Sequence, residues 1–345
     1  MGLFLLHADA DSFFASVAMR SRPHLRNMPM AVVAHVFIAS ANYPARAFGV
    51  KGGMSVRDAS RMCPELELID VDRNEVEEAS TALFDLFDDV AQVVEPGSME
   101  EAFLDVGASS VGEAVEAATR LRSTAAHQLG IPVSVGIGRT KLIAKLSSRR
   151  AKPDGLHVMD ADAEAEVRTS FPLDKLWGVG GRTLERLHIL GVHRLADVDA
   201  IDRSQLVSVC GATMARRLWS IREGTDDATL RPVEERKTLS AELATSGYKR
   251  DDWTPGQMLA LCVERVCLRA QRAGLLAGGV TVMLRPSDGG SAITFKHAEP
   301  DPTSDSGSWL RACHRLAPRP VPPLAGLRVT LTGLQPADHS VATLF

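Results

Sequence analysis

Residues 1–159 alternate short β-prone runs with amphipathic helical stretches, and the alternation stops near residue 160. Such alternation dictates a layered fold, because each strand and each helix must bury one face against the other. The apolar run Leu3–Ala8 ends at Asp9, as a buried strand would. Residues 13–22 read as a helix, Pro29–Ala41 as β-prone, and 54–63 as an amphipathic helix stopped by Pro64. A helix follows over 75–92, with Leu83, Phe84, Leu86, Phe87 and Val90 on one broad face. The runs Gln92–Val94 and Ala102–Val106 flank Pro96-Gly97-Ser98, the signal of a hairpin. A helix over 111–128, a strand over 132–137 and a basic helix over 140–150 complete an α+β layer domain.

The remainder reads differently. Residues 160–228 are short helical segments broken by glycine, and 229–239 are polar and proline-containing, as a linker would be. Residues 240–345 return to α/β: strands near 238–246, at 279–285 and at 325–333, with helices near 256–273 and 306–317. The stretch 299–308 reads as a loop. A length of 345 residues suits two to four such units.

Composition narrows the class. With 45% hydrophobic and 24% charged residues, disorder, collagen and coiled coil are excluded as the dominant state. No basic leader opens the chain and no run approaches about 18 apolar residues, so a membrane partner is not expected. The five cysteines are scattered with no Cys-x-x-Cys spacing, which points to reduced thiols in the cytoplasm. The net charge of −4 argues mildly against nucleic acid, because phosphate binders usually carry a basic excess.

Three groups of residues oppose that average or concentrate chemistry. Asp9 and Asp11 fall where the first strand ends, and Glu100 and Glu101 open another strand after a tight turn. Carboxylates from separate strand ends can converge into an oxygen-rich pocket for Mg²⁺, which takes one or two carboxylates plus substrate phosphates; solvated strand ends are the plain alternative. Arg139, Lys141, Lys145, Arg149, Arg150 and Lys152 lie within fourteen positions that hold no acid, followed by the turn Pro153-Asp154-Gly155. They form either a phosphate-meeting surface or a solvated helix face. Trp177-Gly178-Val179-Gly180-Gly181-Arg182, with Leu184, Leu187, Leu190 and Gly191 beyond, fits a helix–hairpin–helix. Its glycine turn would aim backbone N–H groups at phosphate without reading bases, unless it merely joins two helices.

Taken together, these segments resemble the Y-family DNA polymerases, closest to the bacterial DinB, or polymerase IV, type. The resemblance rests on five segments in order: His7–Val17, Tyr43–Val50, Val94–Val106, Ser134–Gly138 through Lys152–Gly155, and Leu176–Gly180. It is strong over residues 1–240 and beyond them follows length and strand–helix order.

The resemblance implies a multidomain α+β right-hand polymerase with an added α/β little-finger domain. The palm would be residues 1–11 and 72–159, the fingers 12–71, the thumb 160–228 with the helix–hairpin–helix, the linker 229–239 and the little finger 240–345. It implies that Asp9, Glu100 and Glu101, helped by the carbonyl of Ala10, hold two Mg²⁺ ions. Tyr43, Arg46 and Lys152 would grip the incoming triphosphate. Phe14 would be the steric gate against a ribose 2′-OH, with Phe13 in the core. Gly178, Gly180, Gly181 and Arg182 would meet the DNA backbone. The implied partners are primer–template DNA and dNTPs, acting on a monomer in the bacterial cytoplasm. The implied activity is low-fidelity synthesis past damaged bases without proofreading.

Four departures qualify these expectations, the mildest being Asn42 and Pro44 in place of the common Ser and Glu of the second segment. Glu100 stands where the family usually has Asp, which keeps the charge but adds a methylene and suggests a slow or metal-selective enzyme, for instance one favouring Mn²⁺. The stretch between Pro29 and Tyr43 is about four residues shorter than is typical of the family, a shortening near the templating base. The tail Val341–Phe345 resembles the end of a sliding-clamp-binding motif without its leading Gln. A polymerase-shaped adaptor that binds DNA, clamp or partner proteins without catalysis is the alternative, and a generic helix–hairpin–helix DNA-binding protein is a third reading that explains only residues 176–191.

Overall fold

The computed structural model describes residues 4–34, 36–70, 72–232, 237–244, 253–318 and 321–337. In chain order the elements are β1 (Leu5–Ala10), α1 (Phe13–Ser21), β2 (Met30–Ala34), β3 (Phe37–Ala41), α2 (Tyr43–Ala47), α3 (Val56–Met62), β4 (Glu67–Asp70) and α4 (Arg73–Val90). Then come β5 (Val93–Pro96), β6 (Glu101–Asp105), α5 (Val111–Thr124), β7 (Val133–Gly138), α6 (Lys141–Ala151), β8 (Leu156–Val158) and α7 (Ala161–Ser170). The chain continues through α8 (Gly181–Ile189), α9 (Arg203–Cys210), α10 (Ala212–Glu223), β9 (Thr238–Ala244), α11 (Pro255–Arg272), β10 (Leu275–Pro286), β11 (Ile293–Thr303), α12 (Ser306–Leu316) and β12 (Leu324–Pro336). Two compact units result: Met1–Met30, Ser40–Arg46 and Val71–Val233 in the first, and Ala31–Ala39, Ala47–Asp70 and Glu234–Phe345 in the second.

The first unit is built on a five-stranded sheet ordered β5-β6-β1-β7-β8, antiparallel except for the parallel β7–β8 pair. The period-2 alternation of β1 divides its side chains between two faces. Leu6, Ala8 and Ala10 join Ala102, Leu104, Val133, Val135 and Ile137 in the core under α4 and α5. Leu5, His7 and Asp9 therefore face the opposite way, where α6 lies across the sheet. Strand β7 reads Val-Ser-Val-Gly-Ile-Gly for the same reason. Its valines and isoleucine fill the core, while its glycines meet α6. A Cβ added at Gly136 would lie 1.9 Å from the backbone N of Ser148 and 2.3 Å from the carbonyl O of Ala144. One added at Gly138 would lie 2.6 Å from the backbone N of Ala144. Only glycine lets the helix backbone come this close to the strand.

Helices α7–α10 form a second core of the same unit, with Leu187, Leu195, Leu206, Leu218 and Ile221 packed against Leu142, Ile143 and Leu146 of α6. A buried charge cluster ties the ends of this helical part together. Arg168 binds the carboxylates of Glu164 at 2.7 Å and Asp226 at 2.8 Å, and Glu164 also receives Arg139 at 3.0 Å. Ion pairs this buried are costly to break on one side.

In the second unit a four-stranded antiparallel sheet, β11-β10-β12-β9, packs Leu243, Val282 and Val329 against Val263 and Val266 of α11 and Trp309 of α12. Strands β3-β2-β4 make a separate three-stranded sheet. The α+β organisation expected from sequence is what the described residues adopt. The loop expected at 299–308 is corrected. Residues up to Thr303 belong to β11, an edge strand that accommodates Pro300 and Pro302 beside a register shift opposite Ala277 and Gly279. Strands β4 and β8 carry no strong sequence signal and were not expected. The clamp-like tail Val341–Phe345 lies outside the described residues.

The Gly136 contact gives a direct test. Gly136→Ala should lower the stability of the first unit by about 3 kcal/mol or more, because backbone rather than a flexible side chain blocks the new methyl. Denaturant unfolding of the two proteins measures it, and an unchanged midpoint would mean that α6 is not seated on β7.

Candidate active site

Asp9 lies directly opposite Glu101 in the β1–β6 ladder, and His7 opposite Phe103. Paired positions share a face, so both carboxylates point to the side covered by α6. The helix answers with a stripe of its own. Lys141, Lys145, Ser148 and Lys152 follow one another at spacings of four, three and four, which keeps them on one face. Lys141 binds Glu95 of β5 at 2.6 Å, Lys145 binds Glu101 of β6 at 2.6 Å, and Lys152 binds Asp9 of β1 at 2.6 Å. Ser148 meets Nδ1 of His7 at 2.7 Å. The hairpin glycine also serves the site: a Cβ on Gly97 would come within 2.7 Å of Oε1 of Glu101.

The proton positions around His7 follow from these contacts. The ammonium of Lys145 can only donate, so Nε2 of His7, 3.2 Å away, must accept. Nδ1 then carries the proton and donates to Ser148 Oγ, whose own hydrogen goes to the carbonyl O of Lys145 at 2.9 Å. The ring of bonds closes on itself. Burial first, and then the charges of Lys145, Lys152 and Arg149, hold His7 well below its ordinary 6.5, so it remains neutral. Burial raises the pKa of Asp9, Lys152 opposes that rise, and Glu101 adds to it. Burial likewise raises Glu100, whose Ser98 hydrogen bond works against the shift while Asp9 and Glu101 reinforce it. Glu100 is tied to β1 by its backbone, its carbonyl accepting from Ala10 N–H at 2.9 Å.

Phe13 is buried and Phe14 is half-buried beside it, their rings edge to face with centroids 5.8 Å apart. The next loop is pinned by Asp11, which is 1% exposed and accepts from Ser134 Oγ at 2.8 Å and from the N–H of Asp154 at 2.6 Å. The turn after Lys152 is thereby attached to the loop after β1, and Lys152 is held beside Asp9. Tyr43 opens α2. Burial, then the neighbouring Asp11 carboxylate, push its phenol up to about 12. Arg46 lies over the Tyr43 ring at 5.2 Å, and its Nε donates to the carbonyl of Ala41 at 2.8 Å. Asn42 fixes the start of α2. Its amide donates to the carbonyls of Leu25 and Met28, and its oxygen accepts from the N–H groups of Met30 and Ala45. A cavity of about 370 Å³ lies in the same unit, lined by Asp11, Ser12, Arg26, Tyr43 and Pro132 among others.

The structure thus brings Lys152 onto Asp9 and sets Glu101 opposite Asp9 on the next strand, with Glu100 and Tyr43 within reach of their fields. Among the described residues, no three His, Cys, Asp or Glu side chains gather closely enough to hold a metal ion by themselves. The glycine turn is present in part. Gly178 takes φ +85°, and Gly180 caps the nine-residue α8 that begins at Gly181. The element before the turn is a single 3₁₀ turn, Leu173–Lys175, rather than a longer helix.

Only part of the basic run is open surface: Arg149 and Arg150 are exposed, while the other four are paired with acids. Lys141 and Lys145 are almost fully buried in ion pairs, Lys152 is on Asp9, and Arg139 is on Glu164. Most of that charge is consumed inside the unit. The residues this reading missed are the ones that support others: His7, Asn42, Ser148 and the pairing role of Lys145. The recurrence at 141, 145, 148 and 152 was the available signal, since a solvated face has no reason to place a serine in register with three lysines opposite a strand reading His-x-Asp.

Comparison with known proteins gives the family of the chain. The impB/mucB/samB family model matches residues 8–149, and the model for that family's C-terminal domain matches residues 248–344. The DNA polymerase IV of Pseudomonas syringae pv. syringae (strain B728a) is 36% identical over 268 residues, covering 76% of this chain and 73% of that protein. The DNA polymerase IV of Halorhodospira halophila (strain DSM 244 / SL1) is 33% identical over 347 residues, covering 97% of this chain and 96% of its own. Among solved structures, a Y-family DNA polymerase chimera, Dbh-Dpo4(243-245)-Dbh, superposes with a TM-score of 0.77 at 21% identity, covering 96% of this chain and 99% of that one. DinB from Sulfolobus solfataricus does so with a TM-score of 0.66 at 22% identity, covering 95% and 98%. With both family models matched in order and a relative aligned over nearly its whole length, the chain belongs to the Y family of DNA polymerases, in the DinB or DNA polymerase IV type.

Proposed function

We propose that the chain is an active, template-directed DNA polymerase of low fidelity that extends a primer past damaged bases, in the bacterial cytoplasm and without proofreading. One observation carries the reading most: Asp9 and Glu101 stand opposite each other in register, and each carboxylate already holds a cation, an ammonium at 2.6 Å. Carboxylates arranged in this way present hard oxygen donors of the kind divalent ions prefer. In this reading residues 1–11 and 72–159 are the palm, 12–71 the fingers, 160–228 the thumb and 240–345 the little finger.

The donors would be Asp9, Glu101, Glu100 and the carbonyl of Ala10. When bound there, two Mg²⁺ ions would make the primer 3′-OH a better nucleophile and neutralise charge on the leaving pyrophosphate. The chain's own groups do the rest. The 3′-OH attacks the α-phosphate of a dNTP and pyrophosphate departs. Lys152 transfers its charge from Asp9 to the triphosphate, joined by Arg46 and the Tyr43 hydroxyl, which stays protonated with its pKa at about 12 and so donates. Phe14 faces the sugar and leaves no room for a 2′-OH. Gly178, Gly180, Gly181 and Arg182 hold the duplex by its phosphates. The C-terminal tail is the candidate contact for a sliding clamp.

Primer extension with Mg²⁺ and with Mn²⁺ tests this directly. The wild type should extend, and Asp9→Ala should lose about 10³-fold in rate. No extension with either ion would sink the enzyme and leave the non-catalytic adaptor. Phe14→Ala should raise ribonucleotide incorporation by about 10- to 100-fold, read as the ratio of rates with matched rNTP and dNTP. An unchanged ratio removes Phe14 from the gate. Glu100→Asp should raise Mg²⁺-supported extension about tenfold while changing the Mn²⁺ rate less, because the shorter side chain restores the family's spacing. Equal rates with both ions would show that the extra methylene is tolerated.

A further inference from the structure

We propose that Trp177, at the start of the glycine turn, is a positioning residue for Glu101 and acts through the ammonium of Lys145. The inference rests on the polymerase reading for its functional consequence, but its geometry stands apart from that reading. Lys145 has three N–H groups. One is on Oε2 of Glu101 at 2.6 Å and one is on Nε2 of His7 at 3.2 Å. The remaining approach is closed by the indole of Trp177, whose ring centroid is 5.5 Å from Nζ. A cation over an indole face is attracted by the ring's quadrupole, and more strongly where water is excluded. Lys145 is 8% exposed.

The indole is itself fixed from two sides. Its ring lies 6.0 Å from that of Phe103, which touches His7 at 4.6 Å. Arg217 from α10 stacks on it at 5.6 Å and donates to the Trp177 carbonyl. Arg217 also occupies the space a Cβ on Gly178 would need, 2.4 Å from its Nη1, so the turn and the arginine are fitted to each other. A chain of contacts therefore runs from the phosphate-facing turn through Trp177 and Lys145 to Glu101. Movement of the turn displaces the indole, the ammonium follows, and the carboxylate that must meet the reacting centre is re-aimed. Engagement of the duplex by the turn is thereby linked to the placement of Glu101, some seventy-five residues earlier in the sequence.

The test uses Trp177→Leu, which keeps an apolar side chain without a π face, and Trp177→Phe, which keeps the π face. At saturating primer–template and dNTP, Trp177→Leu should slow extension about 30-fold, the size of one desolvated cation–π contact. It should also raise the half-saturating Mg²⁺ concentration, and Trp177→Phe should restore most of both. In a Lys145→Met background, Trp177→Leu should add nothing further, because the two act as one unit. Full multiplication of the two effects, or a defect in Trp177→Leu that disappears at saturating DNA, overturns the proposal. A second readout needs no catalysis: ¹⁵N NMR of the histidines at fixed pH. His7 should show the Nδ1–H form with Nε2 accepting in the wild type and in Trp177→Phe, and shifted Nε2 resonances in Trp177→Leu. Identical His7 spectra in all three overturn the link even if the enzyme is active. A wild type that never extends primers would sink the polymerase reading alone, and the spectra would still decide the contact.

Discussion

The approach of α6 to β7 without side chains between them governs the first unit. Gly136 and Gly138 remove the spacer that would normally hold a helix about 10 Å from a sheet, and the helix backbone settles onto the strand. At that distance lysines in and at the end of α6 reach the acids of β5, β6 and β1 at 2.6 Å each. A helix one methyl further out would leave Glu101 and Asp9 half-buried with weaker counter-charges, an arrangement that is costly. Two absent side chains thus determine whether a polar sheet face is a site or an unpaired cluster of carboxylates.

The same approach explains how a site rich in carboxylates persists before any substrate arrives. Asp9 and Glu101 are on adjacent strands at a spacing where two bare charges repel. Each is matched by a lysine, and neutral His7 sits beside Glu101, accepting from Lys145 without adding charge. The two lysines differ in freedom. Lys145 is locked by Glu101, His7 and Trp177, whereas Lys152 leaves the helix at its C-terminal end and is more exposed. One serves as a fixed support and the other is placed to change partners.

Much of this was legible in the sequence, and the limits have physical causes. The strand ending at Asp9, the hairpin at Pro96-Gly97-Ser98 and the basic helix could be read because each combines a period with a terminator. The pairing of Asp9 with Glu101 could not, since register belongs to two strands at once and neither encodes it alone. Charge in a sequence looks like surface, so the burial of part of the basic run was not legible. Burial of Lys141 and Lys145 depends on glycines in another element, Gly136 and Gly138, and on acids in β5 and β6. Strand β11 was lost for the opposite reason. Its polar, proline-containing end has the composition of a loop, and it stays in the strand because Ala298 and Thr303 on either side pair with β10.

That strand has a consequence for how the molecule behaves in company. β11 is one outer strand of the four-stranded sheet, and an outer strand offers unpaired backbone groups to any passing chain. Pro300 and Pro302 carry no N–H, and the register shift near Gly279 bends the ladder at the same place. Two of the four residues Glu299–Pro302 thus have no N–H to offer a second strand. The segment that reads as a loop is therefore a guard on the sheet's margin, discouraging edge-to-edge stacking of one copy on another.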